Sequence, residues 1–305
     1  MNYEDVLMAK IAWYYYIENM TQQKISDMLG ISRMRVIKLL EKAHQSGIIQ
    51  FKIREDSLER IHIEKQLIEH FNLKDAFVVP THPNEDEINE SIAKAAAMYI
   101  NDRLTKDCFI NIGYGDTLSK LLNNLSIISN YSLSYVSLTG GVNHYLANAR
   151  PEVFNNNLYL TPAPLMASTK EMVAAMQGEA SIKEISRLTK LSSMTVLSVG
   201  ELDKASTISK LNIINQNDLL FLAMRGVVGD ILCHFIDKDG NLVDTPIEER
   251  LISTPLNILK ELDNVIGVAA GLKKVEAIRA ALKGEYLDVL ITDESTATEL
   301  LNNLQ

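Results

Sequence analysis

Arg33, Arg35 and Lys38 fall at spacings that place them on the outer face of one helix, with Met34 among them, while Val36, Leu39 and Leu40 fall on the inner face. Arginine makes two parallel hydrogen bonds to a guanine edge, and lysine and arginine both neutralise phosphates, so the chemistry on offer is groove reading in duplex DNA. A charged helix face alone means only solvation. Here three positioning signals coincide with it. Thr21 is an expected helix N-cap, since its hydroxyl can accept from an orphan amide. Ile25, Met28 and Leu29 are expected to form the buried face of that first helix. Gly30 permits a left-handed turn, and Ser32 is expected to cap the second helix. Thr21, Gln22, Ser32, Arg33, Met34, Arg35 and Lys38 are therefore the candidate DNA-contacting residues. Residues 47–54 alternate like a strand and are expected to form a wing, with Lys52 or Arg54 near the backbone of the duplex. Upstream, Trp13, Tyr14, Tyr15 and Tyr16 read as filling for a small core, with stacking on bases as the alternative.

A second constellation lies at strand ends. Cys108–Ile112 runs into Gly113-Tyr-Gly-Asp-Thr117, Ser134–Leu138 into Thr139-Gly-Gly141, Thr195–Val199 into Gly200, and Val265–Ala269 into Ala270-Gly-Leu-Lys-Lys274. Glycine lets backbone amides approach a ligand, and helix N-termini favour anions. Each loop alone also reads as tight packing; their accumulation on one sheet edge predicts a pocket for a phosphate or polyol. Asp230 sits in an apolar stretch, where an unpaired carboxylate is costly. It reads either as an acceptor for sugar hydroxyls or as a cap or internal ion pair. Lys274 opens a helix, where its charge opposes the dipole. It reads either as a partner for a bound anion or as a solvated cation.

The elements that must position these residues divide the chain. The 305 residues are enough for two domains, and 47% hydrophobic with 23% charged residues is a globular mix. Residues 1–54 hold eight basic and five acidic residues, a formal +3 within a chain of −9, which leaves −12 for the rest. A basic head on an acidic body suits a nucleic-acid reader joined to a part that stays off DNA. Residues 55–74 read as an amphipathic linker helix on Leu58, Ile61, Leu67, Ile68 and Phe71, packing either on its own domain or against the same helix of a second subunit. From residue 75 strands alternate with helices: strands at 76–79, 108–112, 134–138, 158–161, 195–199, 219–223, 265–269 and 287–292, helices at 88–104, 117–125, 171–177, 182–188, 274–282 and 295–301. That alternation predicts a mostly parallel α/β sheet covered on both faces.

Cys108 and Cys233 read as free thiols, and neither cysteines nor histidines show metal-ligand spacing, so no metal or cofactor is expected. No run of about 18 uncharged apolar residues exists, and MNYEDVLMAK carries acids where a leader carries bases, so a cytoplasmic protein with no membrane partner is expected. The competing reading is an enzyme of the sugar-phosphate isomerase or deaminase kind carrying an accessory DNA-binding head; Asp116 and Asp230 would be its acid/base candidates.

Thr21–Leu40, Gly113-Tyr-Gly-Asp-Thr117, Leu138-Thr-Gly-Gly141, Val228-Gly-Asp-Ile231 and Lys274-Val-Glu-Ala-Ile278 stand in the order found in the SorC-type sugar-responsive transcriptional regulators, which the chain resembles over essentially its whole length. The resemblance implies a winged helix-turn-helix over residues 1–54 and an effector-binding and oligomerising body over 55–305, similar to glucosamine-6-phosphate deaminase and ribose-5-phosphate isomerase. It implies a homodimer or homotetramer bound to double-stranded operator DNA, and release when a small carbohydrate or sugar phosphate binds. Ile11-Ala-Trp13, His44-Gln-Ser-Gly-Ile-Ile49 and Pro162-Ala-Pro-Leu165 place the likeness within the branch that governs autoinducer-2 uptake, which implies phosphorylated autoinducer-2 as effector. Carried over residue by residue, the implied effector contacts are Tyr114, Gly115, Thr117, Gly140, Gly141, Asp230, Leu232 and Lys274. Thr139 stands where a deoxyribonucleoside regulator of the family has a lysine that bonds covalently to its effector, so binding here is expected to be noncovalent.

Overall fold

A computed structural model describes residues 3–50, 54–141, 145, 149–204, 206–210 and 213–302. It divides into two compact units, residues 1–58 and 59–305.

The small unit is helical: α1 (Tyr3–Ala12), a wide turn over Trp13–Ile17, α2 (Gln22–Leu29) and α3 (Arg33–Gln45). Both sequence-marked caps form. Thr21 Oγ1 accepts from the Lys24 amide at 3.2 Å, and Ser32 Oγ accepts from the Arg35 amide at 3.2 Å. Gly30, at φ 63°, makes the turn between the two helices. Ile25, Val36, Leu39 and Leu40 close on Met8 and Ile11 from α1. Met28, expected inside, is exposed; the buried face of α2 is built on Ile25 and Ser26, with Ser26 Oγ donating to the Ile31 carbonyl. The aromatic run splits. Tyr14 and Tyr15 pack on the core, whereas Trp13 and Tyr16 are exposed and the Trp13 indole donates to Glu18 Oε1 at 3.0 Å. Residues 47–49 are turn and bend, and residues 51–53, on which the expected wing strand depends, lie outside the described residues.

Helix α4 (Glu55–Phe71) leads to the sheet-bearing unit. Its last turns pack inward through Leu67, Ile68 and Phe71, while Ile61 stays exposed. The chain then runs β1 (Asp75–Val79), α5 (Glu85–Asn101), β2 (Phe109–Ile112), α6 (Asp116–Ile128), β3 (Ser134–Ser137), β4 (Asn157–Tyr159), α7 (Lys170–Gly178), α8 (Ala180–Leu191), β5 (Met194–Leu197), β6 (Val199–Glu201), α9 (Thr207–Lys210), α10 (Gln216–Met224), β7 (Val227–Ile231), β8 (His234–Asp237), α11 (Leu256–Leu259), β9 (Val265–Val268), α12 (Val275–Lys283), β10 (Val289–Asp293) and α13 (Glu294–Leu301).

Seven strands form one parallel sheet in the order β1-β10-β9-β5-β2-β3-β4. Its inner strands are apolar on both faces because helices cover both. Ile92, Ala96, Leu118 and Leu122 of α5 and α6 lie with Ile110, Ile112, Val289 and Ile291 on one side. Leu67, Ile278, Ala281 and Leu300 of α4, α12 and α13 lie with Leu290 and Val265 on the other. A three-stranded antiparallel sheet, β6-β7-β8, joins the second side.

One expected strand is a helix. Residues 219–223 belong to α10, fixed by a capping box in which Asn215 Oδ1 accepts from the Asp218 amide and Asp218 Oδ2 accepts from the Asn215 amide. The strands that follow, β7 and β8, are joined by Leu232 and Cys233, both at positive φ (54° and 69°). Cys233 is buried and Cys108 half-buried, and both are free thiols.

Candidate functional site

The carboxyl ends of β2 and β5, neighbours in the sheet, open onto a cleft of about 630 Å³. Six of the eight expected effector residues line it: Tyr114, Gly115, Thr117, Asp230, Leu232 and Lys274. Gly140 and Gly141 do not. Their amides are already committed, Gly140 N to the Ile252 carbonyl and Gly141 N to the Ala163 carbonyl, both at 2.8 Å. A Cβ on Gly140 would sit 2.2 Å from the Pro164 carbonyl oxygen. These glycines serve close backbone packing, the bland alternative that a glycine after a strand always carries. Thr139 is likewise internal, its hydroxyl hydrogen-bonded to the Gly140 carbonyl and the Tyr145 phenol.

One wall of the cleft is the start of α6. Gly115 is its N-cap at φ 127°, a conformation open to glycine. The first-turn amides of such a helix have no intrahelical acceptor and point outward with a partial positive charge. Thr117 donates to Asn89 Oδ1 at 3.3 Å. The Ser119 hydroxyl, one turn along from Gly115, lines the same wall, is buried, and has no hydrogen-bond partner among the described residues. Lys120 draws Asp116 aside at 2.7 Å, which offsets the carboxylate nearest these amides. Lys210 and Lys273 also line the cleft and have no ion-pair partner among the described residues. The α6 amides and the Ser119 hydroxyl suit an anionic group, although Glu85, Asp86 and Asp116 also line the cleft.

The facing wall carries mixed charge. Lys274 Nζ lies 3.6 Å from Glu201 Oε2, and both side chains are well shielded, at 16% and 15% exposure. Asp230 is buried on β7, with Oδ2 accepting from the Cys233 amide at 3.0 Å. Burial raises its pKa to about 6; the Cys233 amide, Lys274 and His234 work against that rise, and Glu201 reinforces it. The Asp230 hydrogen bond closes the Leu232–Cys233 turn, which carries Leu232 into the cleft. Tyr114 contacts the Cys233 thiol, and burial, with Cys233 and Asp230 nearby, pushes its phenol well above the ordinary value. A buried carboxylate, a shielded lysine and a neutral phenol can accept from and donate to a polyol. His234 is core: its ring nitrogens face Glu248 at 2.8 Å and the Thr254 carbonyl at 3.0 Å.

Sequence reasoning missed Ser119, Glu201 and Lys210. Helical spacing from Gly115 points at Ser119, and Glu201 directly follows a flagged glycine; nothing in the local pattern marks Lys210.

On the helical unit, Arg33, Met34, Arg35 and Lys38 are all exposed along α3, and Ser32 and Thr21 stand at the two helix starts. Gln22 begins α2 and is half-buried. Thr21, Gln22 and Arg33 share a groove with Tyr15, Tyr16 and Asn19. The expected residues of this unit thus lie on its surface, as groove reading requires.

Among known proteins, a family model for a sugar-binding domain matches residues 55–302, and a model for region 4 of sigma-70 matches residues 11–46. The chain is 34% identical over 304 residues to the transcriptional regulator LsrR of Escherichia coli (strain SMS-3-5 / SECEC), covering 98% of this chain and 96% of the relative. It is 32% identical over 302 residues to LsrR of Enterobacter sp. (strain 638), covering 98% and 93%. Among solved structures, the full-length sorbitol operon regulator SorC from Klebsiella pneumoniae matches with a TM-score of 0.71 at 27% identity, over 99% of this chain and 100% of that one. A DeoR family transcriptional regulator from Listeria monocytogenes matches with a TM-score of 0.72 at 28% identity, over 79% and 99%.

Proposed function

This chain belongs to the sugar-binding-domain family of SorC-type transcriptional regulators, and from that premise we propose that residues 1–54 read duplex operator DNA while residues 55–305 hold a small carbohydrate effector, in the first instance a sugar phosphate. The observation that carries the reading is the two-walled cleft: helix amides and Ser119 on one side, Asp230, Glu201 and Lys274 on the other, with Lys210 and Lys273 also lining it. The first wall takes the phosphoryl group and the second the hydroxyls. Thr21, Gln22, Ser32, Arg33, Met34, Arg35 and Lys38 form the DNA face, with the start of α3 at base edges and the helix N-caps near phosphates. Binding is noncovalent, since Thr139 is an internal hydroxyl with both its contacts satisfied by protein. The protein acts as a repressor in the cytoplasm, as a homodimer or homotetramer, and the effector lowers its affinity for the operator.

No enzyme activity is assigned. Asp230 is held by a backbone amide and Asp116 by Lys120, so neither is placed as a free general base. The test is a thermal-shift panel of sugar phosphates and polyols, phosphorylated autoinducer-2 included, followed by fluorescence anisotropy on labelled operator with each stabilising compound. At least one compound is expected both to stabilise the protein and to weaken DNA binding about tenfold or more, the scale of a coupling energy of 1–3 kcal/mol. A panel in which stabilisers leave DNA affinity untouched sinks the repressor reading. Turnover of ribose-5-phosphate or glucosamine-6-phosphate sinks the non-enzyme reading.

A further inference from the structure

The shielded part of the cleft holds two carboxylates and one ammonium group. Strands β6 and β7 pair so that Gly200 lies opposite Asp230. A Cβ at position 200 would stand 2.1 Å from Asp230 Oδ1, so a side chain there would displace that carboxylate from its place over β6, next to Glu201. Asp230 is buried, and Glu201 is close enough to add to the rise in its pKa. Lys274 Nζ, 3.6 Å from Glu201 Oε2, is the cation placed with them. The other charged groups of the lining, Glu85, Asp86, Asp116, Lys210 and Lys273, are all exposed, where water and salt screen them. The α6 wall is the reverse: its amides face outward, the buried Ser119 hydroxyl lacks a partner among the described residues, and Asp116 is drawn to Lys120.

We propose that the cleft admits a carbohydrate with one anionic end only, and that Glu201 enforces this by neutralising Lys274, the shielded cation that would otherwise receive a second anionic group. The inference rests on the sugar-phosphate reading of the cleft and narrows it to monophosphates with an uncharged polyol tail. The α6 wall takes the single phosphoryl group. A phosphoryl or carboxylate group brought to the far wall loses its water and meets two carboxylates for one ammonium, which sets an unfavourable contact against doubly anionic compounds. Hydroxyl groups meet no such penalty, since they donate to the carboxylates and accept from Lys274. Glutamine in place of Glu201 keeps the size and the hydrogen bonding, but leaves Lys274 shielded without its counter-ion, and such a cation draws an anion.

The experiment is isothermal titration of the full chain with three pairs of compounds, each pair differing by one anionic group at the end remote from the shared phosphoryl: fructose-6-phosphate and fructose bisphosphate, glucose-6-phosphate and 6-phosphogluconate, ribulose-5-phosphate and ribulose bisphosphate. In wild type at least one monophosphate is expected to bind about tenfold or more tightly than its doubly anionic counterpart. Glu201→Gln is expected to shrink that ratio about tenfold, and Glu201→Asp, which keeps the charge, to preserve it. Damage to the fold lowers both affinities together and leaves the ratio unchanged, so the ratio separates charge selection from a structural role; the wild-type ratio itself needs no variant. A wild type that binds the doubly anionic compounds as tightly as the monophosphates overturns the inference while the sugar-phosphate reading stands. So does a folded Gln variant that keeps the wild-type ratio. Failure of every compound to bind, in wild type and variant alike, ends the sugar-phosphate reading and this inference with it.

Discussion

Asp230 accepts a hydrogen bond from the Cys233 amide at 3.0 Å, inside a site where burial raises its pKa to about 6. An unfolded aspartate titrates near 3.9, so the folded protein binds this proton more tightly than the unfolded chain does. The stability contributed by that tighter binding is complete below about pH 4 and is lost as pH rises through about 6. Two pH units correspond to roughly 3 kcal/mol. Asp230→Asn keeps an acceptor for the Cys233 amide and abolishes the ionisation. Chemical denaturation between pH 4 and 8 should show the Asn variant without this decline, and at pH 7 at least as stable as wild type. Effector affinity should fall about tenfold in the same variant, since a carboxylate accepts hydroxyl hydrogen bonds more strongly than an amide does. The residue then trades stability for binding, as functional sites do. An unchanged pH slope in the variant would mean that another group sets it.

At the scale of elements, the two helix caps of the head separate folding from recognition. Ser32 accepts from the Arg35 amide at 3.2 Å and belongs to the proposed DNA face. Ser32→Ala removes the cap and is expected to cost about 1 kcal/mol. Ser32→Asp keeps a capping oxygen but sets a negative charge beside phosphates, so thermal melts should stay near wild type while operator affinity falls. Equal loss of stability in both variants would deny the cap. Gly140 belongs to the same scale: Gly140→Ala drives a Cβ to 2.2 Å from the Pro164 carbonyl oxygen. That should destabilise the body by 1–3 kcal/mol, the range for overpacking, as urea unfolding would measure. If it lowers effector affinity at unchanged stability, Gly140 acts at the cleft after all. These elements also show what was legible in sequence. Thr21, Gly30 and Ser32 announce α2 and α3 because caps and left-handed turns are local devices. The parallel strands announce themselves as apolar runs. The hairpin β7–β8 does not, because its turn is Leu232–Cys233 rather than the Asn-Gly type that such turns favour, and it is held by Asp230 and the core instead. Residues 219–223 mislead because α10 is apolar on nearly every side. Gly115 and Gly140 look alike in sequence; whether their neighbour is open space or Pro164 is decided by distant chain.

At the scale of the whole molecule, a unit built for DNA and a unit built around a cleft influence each other only through free energy. A ligand shifts the DNA-binding equilibrium by no more than its difference in affinity for the two conformations of the protein. Arg35→Ala should therefore raise the operator dissociation constant by roughly tenfold or more, the 1–3 kcal/mol of a lost bidentate contact, with effector affinity unchanged. Lys274→Gln should do the reverse: its shielded pairing with Glu201 is lost at the cleft, effector affinity falls, and effector-free DNA binding stays at the wild-type level. Isothermal titration with effector, with and without saturating operator, then tests the coupling itself. Linkage requires that the factor by which effector weakens operator binding equal the factor by which operator weakens effector binding. In Arg35→Ala that factor should persist, since the damage lies in contact with DNA and leaves the switch intact. In Lys274→Gln it should shrink toward one if the lysine distinguishes the two conformations, and hold if the lysine grips the effector equally in both. A variant in which the two factors differ would mean that the DNA-bound and effector-bound forms are not linked by a single equilibrium.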